Sequence, residues 1–454
     1  MQTHSMEYNQ LLKALLYLPI NAPQATIGSI FIPELLKTLG YDVTETIPNF
    51  ATGNGTDKVD YAVRRDTDKD IFIHTKSNPY LLIELKGRDT NLSENSTQYK
   101  STVSQLKRYL LAPNCQSVQW GIITNSIHIQ LFRKHGKVIH PCLPCQEITP
   151  DNVDEIVQDI KAKVDTPQKA LTVAIYNNKG GVGKTTTTLN LAATLAYLGK
   201  QTLIIDFDPS QQDLTNSLAL KPKEDVLYSW LEDKASILVP PGLSFRLNFQ
   251  VPSKGTVAFD IIPSDQKLME LGEEELRQRI KISRLRQVIE PLKYQYDYIL
   301  IDSPPNWRLF SQSAVYASDV VLIPTKHNSM FSLKNAAVVI QRFIPEIQTK
   351  RNDGGPIALP IFYNGESITE AQIFTAQKEI DKIINKAKTD TLNPIDLTPY
   401  FYPKYTQANQ SRHIFNIPSY AHIASAAFTR IPAVYKNRTA YEHYLALAKE
   451  YFLQ

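Results

Sequence analysis

Residues 171–190 read LTVAIYNNKGGVGKTTTTLN, and this stretch restricts the fold more than any other in the chain. Its first six residues form a largely apolar run with β-branched members that stops at polar and glycine residues, the pattern of a strand buried on both faces. A helix starts at Lys184. A glycine-rich loop between a buried strand and a helix is a phosphate cradle: Gly180, Gly181 and Gly183 let the backbone curl, and amides at the helix N-terminus point at the anion. In such a loop Lys184 reaches the β and γ phosphates and Thr185 holds Mg²⁺, with Val182 and Thr186 completing the cradle. The bland alternative is a loop that only turns the chain, and the strand, the helix and the downstream acids argue against it.

A buried parallel strand requires helices on both faces of its sheet, and the downstream sequence supplies them. After LTVAIYN come QTLIIDFD, FDIIPS, YDYILIDS, DVVLIPT and IALPIFYN as apolar strands. Helical segments alternate with them, including a long charged helix before YDYILIDS and LKNAAVVIQRFI near the end. Alternation of this kind predicts an α/β domain built on a mostly parallel sheet. The chain has 454 residues, more than one core usually covers. Upstream, YNQLLKALLYL and SIFIPELLKTLG have helical spacing, VDYAVRR, DIFIHTK and YLLIELKG read as strands, and TQYKSTVSQLKRYLLA reads as an amphipathic helix. QWGIITNS and IHIQLFRK make a hairpin pair. The expected division is a smaller α/β domain over residues 1–150, a helix and linker (PDNVDEIVQDIKAKV, then DTPQKA) over 151–170, and the loop-bearing domain over 171–454.

Charge and cysteine content narrow the class. A formal net charge of +4 is compatible with nucleic acid without requiring it. Three cysteines are too few for a disulfide framework, and no apolar run reaches the length of a spanning helix, so a cytoplasmic protein is expected. HPCLPC offers His140, Cys142 and Cys145, with Cys115, as a zinc alternative; one CxxC without a second pair favours packed thiols.

Lys179 distinguishes the loop. KGGVGKTT resembles the deviant Walker A motif of the ParA/MinD family, and the resemblance extends over roughly residues 171–454. It implies that Lys179 reaches across a nucleotide-sandwich dimer to the partner's phosphates, a lysine counterpart of an arginine finger. LIIDFDPSQQDLT resembles the family's second motif, with Asp208 positioning the attacking water and Asp206 at the strand end. YDYILIDSPP has the Walker B pattern, with Asp302 in the Mg²⁺ shell. Asn364 of IFYN is the candidate for adenine recognition, beside the plain reading of a turn asparagine. FDIIPSD, VLIPTKHNSMFSLKNA and AYEHYLALAKEYF resemble later segments. PSQQDLT departs from the family's usual glutamine-glycine-asparagine run, and the regions around 221–258 and 375–415 diverge. The implied cofactors are ATP and Mg²⁺. The implied partners are nonspecific DNA, a second copy on ATP binding, and an unidentified protein that stimulates hydrolysis. A membrane is not among them, because AYEHYLALAKEYF carries acids amid its aromatics. The implied location is bacterial, at a nucleoid or plasmid.

Upstream, Asp60 lies on one strand and Glu84 and Lys86 on the next, spaced so that acid and lysine share a face. Phosphodiester hydrolysis needs carboxylates that hold a divalent cation and a lysine that orients water or stabilises charge. The segment resembles the PD-(D/E)xK nuclease core, more narrowly the N-terminal domain of type I restriction HsdR subunits, a restriction-endonuclease-like fold. By that resemblance Asp60 and Glu84 bind metal, Gln105 of SQLKRYL joins the site, and Glu34 of the opening helices adds a carboxylate. Arg64, Arg65, Lys86, Arg88, Lys107 and Arg108 are candidates to follow a phosphate backbone. A second basic group is Lys404, Arg412, His413, Arg430, Lys436 and Arg438, interleaved with Tyr402, Tyr405 and Tyr435; solvated faces look similar. The expected whole is a DNA-binding, dimerising ATPase fused to a metal-dependent nuclease, in genome defence or a mobile element. The alternative is a partition or positioning ATPase whose first domain only binds DNA or a partner.

Overall fold

The computed structural model describes residues 2–94, 96–167, 169–252, 254–365, 369–391, 394–403, 412–423 and 429–454, with side chains from residue 10 onward. Lys404 and Tyr405 lie outside the described residues. The chain divides into two compact units, Met1–Pro167 with Asn352–Gly354 and Gln454, and Gln168–Arg351 with Gly355–Leu453.

The first unit is built on a sheet ordered β1 (Thr46–Ala51), β2 (Lys58–Val63), β3 (Leu81–Leu85), β4 (Trp120–Thr124), β5 (His128–His135) and β6 (Val138–Pro141), with β7 (Gln146–Glu147) also on β5. All pairings are antiparallel except β3 with β4. The helix Thr97–Leu110 makes the crossover that this parallel pair needs. Strand β3 is buried throughout, and its alternation sorts the two faces. Leu81, Ile83 and Leu85 join the helices Gln24–Thr38 and Val153–Asp165 in one core. Leu82 faces Leu106, Tyr109 and Leu110 of the crossover helix in the other. Glu84 shares Leu82's face by the two-residue period, so it points toward the crossover helix.

Two sequence expectations fail here. DIFIHTK is not a strand: Phe72–Thr75 is one helical turn ending at Lys76 with φ +49°. Local polar groups override its β propensity, since Asp66 accepts from the Phe72 amide at 2.6 Å and Asp70 holds both Thr75 and Arg64. Conversely TIPNFA, interrupted by Pro48, is strand β1 at the sheet edge, where a missing amide donor is tolerated.

The second unit has a seven-stranded sheet ordered β10 (Phe245–Val251), β11 (Gly255–Ile262), β9 (Thr202–Asp206), β12 (Tyr298–Asp302), β8 (Leu171–Ile175), β13 (Val320–Leu322) and β15 (Ile357–Ala358). Only β10 is antiparallel to its neighbour. A smaller parallel sheet follows, β14 (Pro324–Thr325), β16 (Phe362–Asn364) and β17 (Asn416–Ile417). The expected long charged helix is instead three short ones, Gln266–Glu270, Glu273–Arg279 and Arg284–Val288. Leu271 and Ile280 adopt extended backbone and break it, bringing Leu268, Leu276 and Leu285 each into the core. The antiparallel ribbon β10–β11 begins within the divergent region 221–258. Strand β8 sits between β12 and β13 while the chain leaves it for β9, two places away, so a crevice opens at its C-terminal end.

Candidate nucleotide site and acid cluster

The loop leaves β8 at that crevice. Register places Asp302 opposite both Ile175 and Asp206, so two carboxylates end adjacent strands beside the loop. Gly181 and Gly183 have φ +72° and +84°, values that suit glycine. Lys184 opens the helix Lys184–Tyr197, is buried, and donates to the Lys179 carbonyl at 3.4 Å, closing the curl over its own ammonium. Val182 is buried, and Thr185 and Thr186 are half-buried in the first turn. Asn364, at the end of β16, donates to the Val182 carbonyl at 3.1 Å, the Gly183 carbonyl at 3.3 Å and the Thr187 hydroxyl at 3.2 Å.

Three buried aspartates surround Lys184. Burial raises the Asp302 carboxyl well above the usual range, with the Asp206 charge adding to it and the Thr185 hydroxyl and Lys184 pulling it back. Asp206 is pushed up to about 6 by burial, against hydrogen bonds from the Thr215 hydroxyl and amide and the Asp208 amide. Asp208 is also raised by burial; it accepts from the Gln211 amide at 3.3 Å and feels Lys184. Lys184 is in turn lowered by burial. Asp302 Oδ1 is buried with no protein partner, next to Thr185. A buried carboxylate oxygen left open in a cluster with excess negative charge fits a divalent cation or its water shell. Lys179 is exposed at the lip of the loop and makes no ion pair among the described residues. Thr215, which anchors Asp206 through its amide and hydroxyl, is invisible to the sequence because a hydroxyl partner nine residues downstream carries no spacing signal.

Residues 170–354 match the family described as AAA domain. Over 157 residues the chain is 38% identical to the sporulation initiation inhibitor protein Soj of Bacillus subtilis, covering 34% of this chain and 57% of Soj. It is 35% identical over 157 residues to the chromosome partitioning protein ParA of Myxococcus xanthus, covering 34% of this chain and 50% of that protein. The family match falls on residues 170–354, the stretch that carries the glycine loop and its aspartates. The chain spans about half the length of the known relatives it matches. Among solved structures, the ATP complex of Cyanothece McdA is similar at TM-score 0.46 and 20% identity, covering 63% of this chain and 98% of that one. Lys184, Thr185 and Asp302 together make a set that fits a polyphosphate with a divalent cation. No helix among the described residues is long and apolar enough to cross a membrane.

The first unit holds the second constellation. Tyr61 pairs with Ile83, which sets Asp60 opposite Glu84 one step along the ladder. Asp60 accepts from the Leu85 amide at 2.7 Å on one oxygen and from Gln24 at 2.7 Å on the other. Lys86 donates to Glu84 at 2.5 Å and to the Gln105 oxygen at 3.0 Å, and Gln105 donates to the Tyr109 hydroxyl at 2.8 Å. Asp60, Glu84, Lys86 and Gln105 therefore meet at one point. Glu84 is 2% exposed and pushed up to about 7, first by burial and then by the Asp60 charge, against the pull of Lys86. Burial also raises Asp60. Two carboxylates that oppose each other's ionisation in a buried setting suit a divalent cation, although no group of three or more His, Cys, Asp or Glu residues gathers as a metal site among the described residues. Glu34 makes no side-chain hydrogen bond or ion pair among the described residues; Gln24 is the residue of that helix that reaches the cluster.

The arginines near this cluster are largely engaged. Arg64 pairs with Asp70 at 2.6 Å, Arg65 with Glu45 at 3.4 Å, and Arg108 with Asp57 at 3.1 Å. Arg88 donates to Ser126 and to the Pro19 carbonyl. Lys107 is half-buried. In the second unit Arg412 pairs with Asp381 and Arg438 with Glu442, whereas Arg430 and Lys436 are exposed; Tyr402 and Tyr435 are buried. His413 is half-buried. Cys115 is buried and Cys145 donates to the Leu92 carbonyl at 3.2 Å, so the thiols pack as ordinary side chains.

Proposed function

We propose that this chain is an ATP-dependent ParA-like switch that hydrolyses ATP with Mg²⁺, dimerises on binding it and engages DNA without sequence preference, and that its first unit is a metal-dependent DNA nuclease module. The observation that carries the nucleotide reading is the open, buried Asp302 oxygen beside Thr185, under a glycine loop with a buried Lys184. Mg²⁺ supplies charge neutralisation across the phosphates. Lys184 holds the phosphate chain, Thr185 and Asp302 hold the cation and its water, and Asp208 orients the attacking water at the strand end. Lys179, exposed at the lip, is free to reach a second copy's nucleotide. In the first unit Asp60 and Glu84 hold a divalent cation while Lys86, fixed between Glu84 and Gln105, orients water or steadies charge at the phosphodiester. A role in defence or on a mobile element, in the bacterial cytoplasm at a nucleoid or plasmid, follows from pairing such a switch with such a module. An unidentified partner protein would stimulate hydrolysis.

The test is steady-state hydrolysis and sedimentation of the full chain with Mg²⁺-ATP. Lys184→Ala is expected to abolish both nucleotide binding and hydrolysis. Lys179→Ala is expected to bind ATP but to lose dimerisation and most turnover. Hydrolysis and dimerisation by Lys179→Ala at wild-type levels would overturn the cross-dimer role.

One observation favours a second reading, a partition or positioning ATPase with a noncatalytic first unit. The arginines around the acid cluster are used in internal ion pairs, which leaves few cations to follow a DNA backbone there. DNA retention that needs ATP, with no cutting under any divalent cation, would support it.

A further inference from the structure

We propose that Asn364 is a positioning residue that aims the loop's amides at the phosphates. A trans peptide plane points its carbonyl and its N–H in opposite directions. The Asn364 amide nitrogen takes the carbonyls of Val182 and Gly183 together with the Thr187 hydroxyl, all within 3.3 Å. Holding the Val182 carbonyl turns the Gly183 N–H the other way, and the Gly183 carbonyl, which Asn364 shares with the Thr187 amide at 2.9 Å, does the same for the Lys184 N–H. Those two N–H groups are thereby fixed toward the side of the curl away from Asn364, where the phosphate-loop reading puts the anion. The approach is close enough to dictate the glycine, because a Cβ on Gly183 would lie 2.1 Å from the Asn364 nitrogen. Asn364 is itself 7% exposed, so its amide is committed to the loop rather than to solvent.

Two further asparagines tie the other end of the loop to the same part of the unit. Asn177 donates to the Pro324 and Ser332 carbonyls at 2.8 and 3.2 Å, and Asn335 donates to the Asn178 carbonyl at 3.0 Å. Pro324 belongs to β14 and Asn364 to β16, which pair with each other. The small sheet thus braces both flanks of the loop. On this assignment the amide of Asn364 recognises the loop's backbone and contributes equally to every polyphosphate ligand, whatever base it carries. The inference rests on the phosphate-loop reading of residues 179–186.

The experiment compares the full-length wild type with Asn364→Ala and with Asn364→Asp, which keeps the shape but removes the donors. Affinities for ATP, GTP and inorganic tripolyphosphate are measured with Mg²⁺ by calorimetry. Hydrogen exchange of peptides covering residues 178–187 is followed without ligand, and thermal unfolding is recorded alongside. The expected result is a loss by a common factor of about tenfold for all three ligands, the scale of one net hydrogen bond, and larger in the Asp variant. Exchange is expected to quicken in the loop peptides and stay unchanged elsewhere, with the melting temperature held. A loss confined to ATP would overturn the proposal in favour of a base contact, and so would loop exchange equal to wild type. Wild type that binds none of the three ligands would count against the phosphate-loop reading, while the ligand-free exchange would still decide whether Asn364 braces the loop.

Discussion

At the scale of single residues, the loop's chemistry comes from burying groups that water would otherwise stabilise. Lys184 and Asp302 each have their charged forms opposed by burial and supported by one another, so neither is independent of its neighbours. Gly183 shows how tightly the backbone is specified. Gly183→Ala adds a methyl against Asn364 at a positive φ, and the loop must open to accept it. Nucleotide binding by this variant is expected to fall at least tenfold, roughly the 1–3 kcal/mol that such strain represents, while the fold persists. Titration with a fluorescent ATP analogue, beside a far-ultraviolet melting curve, checks both halves; unaltered affinity would mean that the loop is not braced at this point. In the first unit, the same economy of burial links Glu84, Lys86 and Gln105, and Gln24 fixes Asp60 from a helix on which the sequence pointed to Glu34 instead.

Elements were legible where their period was strong. The β8 strand, its loop and the helix Lys184–Tyr197 follow directly from an apolar run, glycines and a helix former, and the Asp60, Glu84 and Lys86 juxtaposition follows from strand alternation. What failed to read had local causes: Asp66 and Asp70 bend DIFIHTK into a helical turn, and extended backbone at Leu271 and Ile280 divides the charged segment 266–288. Asn364's contacts were illegible because they join residues some 180 positions apart, a relation that spacing does not encode. Strand β5 carries a testable burden of its own. Lys134 on β5 is 5% exposed, donates to the Cys115 and Gln116 carbonyls, and is lowered by burial to about 8 from 10.5. A lysine with a depressed folded value binds fewer protons folded than unfolded between those two values. Its cost is therefore fully present below pH 8 and is relieved as pH rises toward 10.5. Relative to Lys134→Met, wild type is expected to gain stability between pH 8 and 10, by up to about 2–3 kcal/mol. Parallel denaturant curves of the two proteins across that range measure it, and a constant difference between them would refute the buried-charge account.

At the scale of the whole molecule, the chain joins a phosphate-loop unit to a unit that gathers two carboxylates, a lysine and a glutamine. The family match covers residues 170–354, in the loop-bearing unit. On the proposed reading the two units act together, one reading ATP and the other acting on DNA. It is tested most directly by incubating the full chain with supercoiled plasmid and Mg²⁺ or Mn²⁺, with and without ATP, for wild type, Lys86→Ala and Lys184→Ala. Wild type is expected to nick the plasmid, Lys86→Ala to lose the nicking, and Lys184→Ala to lose its ATP dependence. Intact plasmid under every condition, or cutting that survives Lys86→Ala, would contradict it.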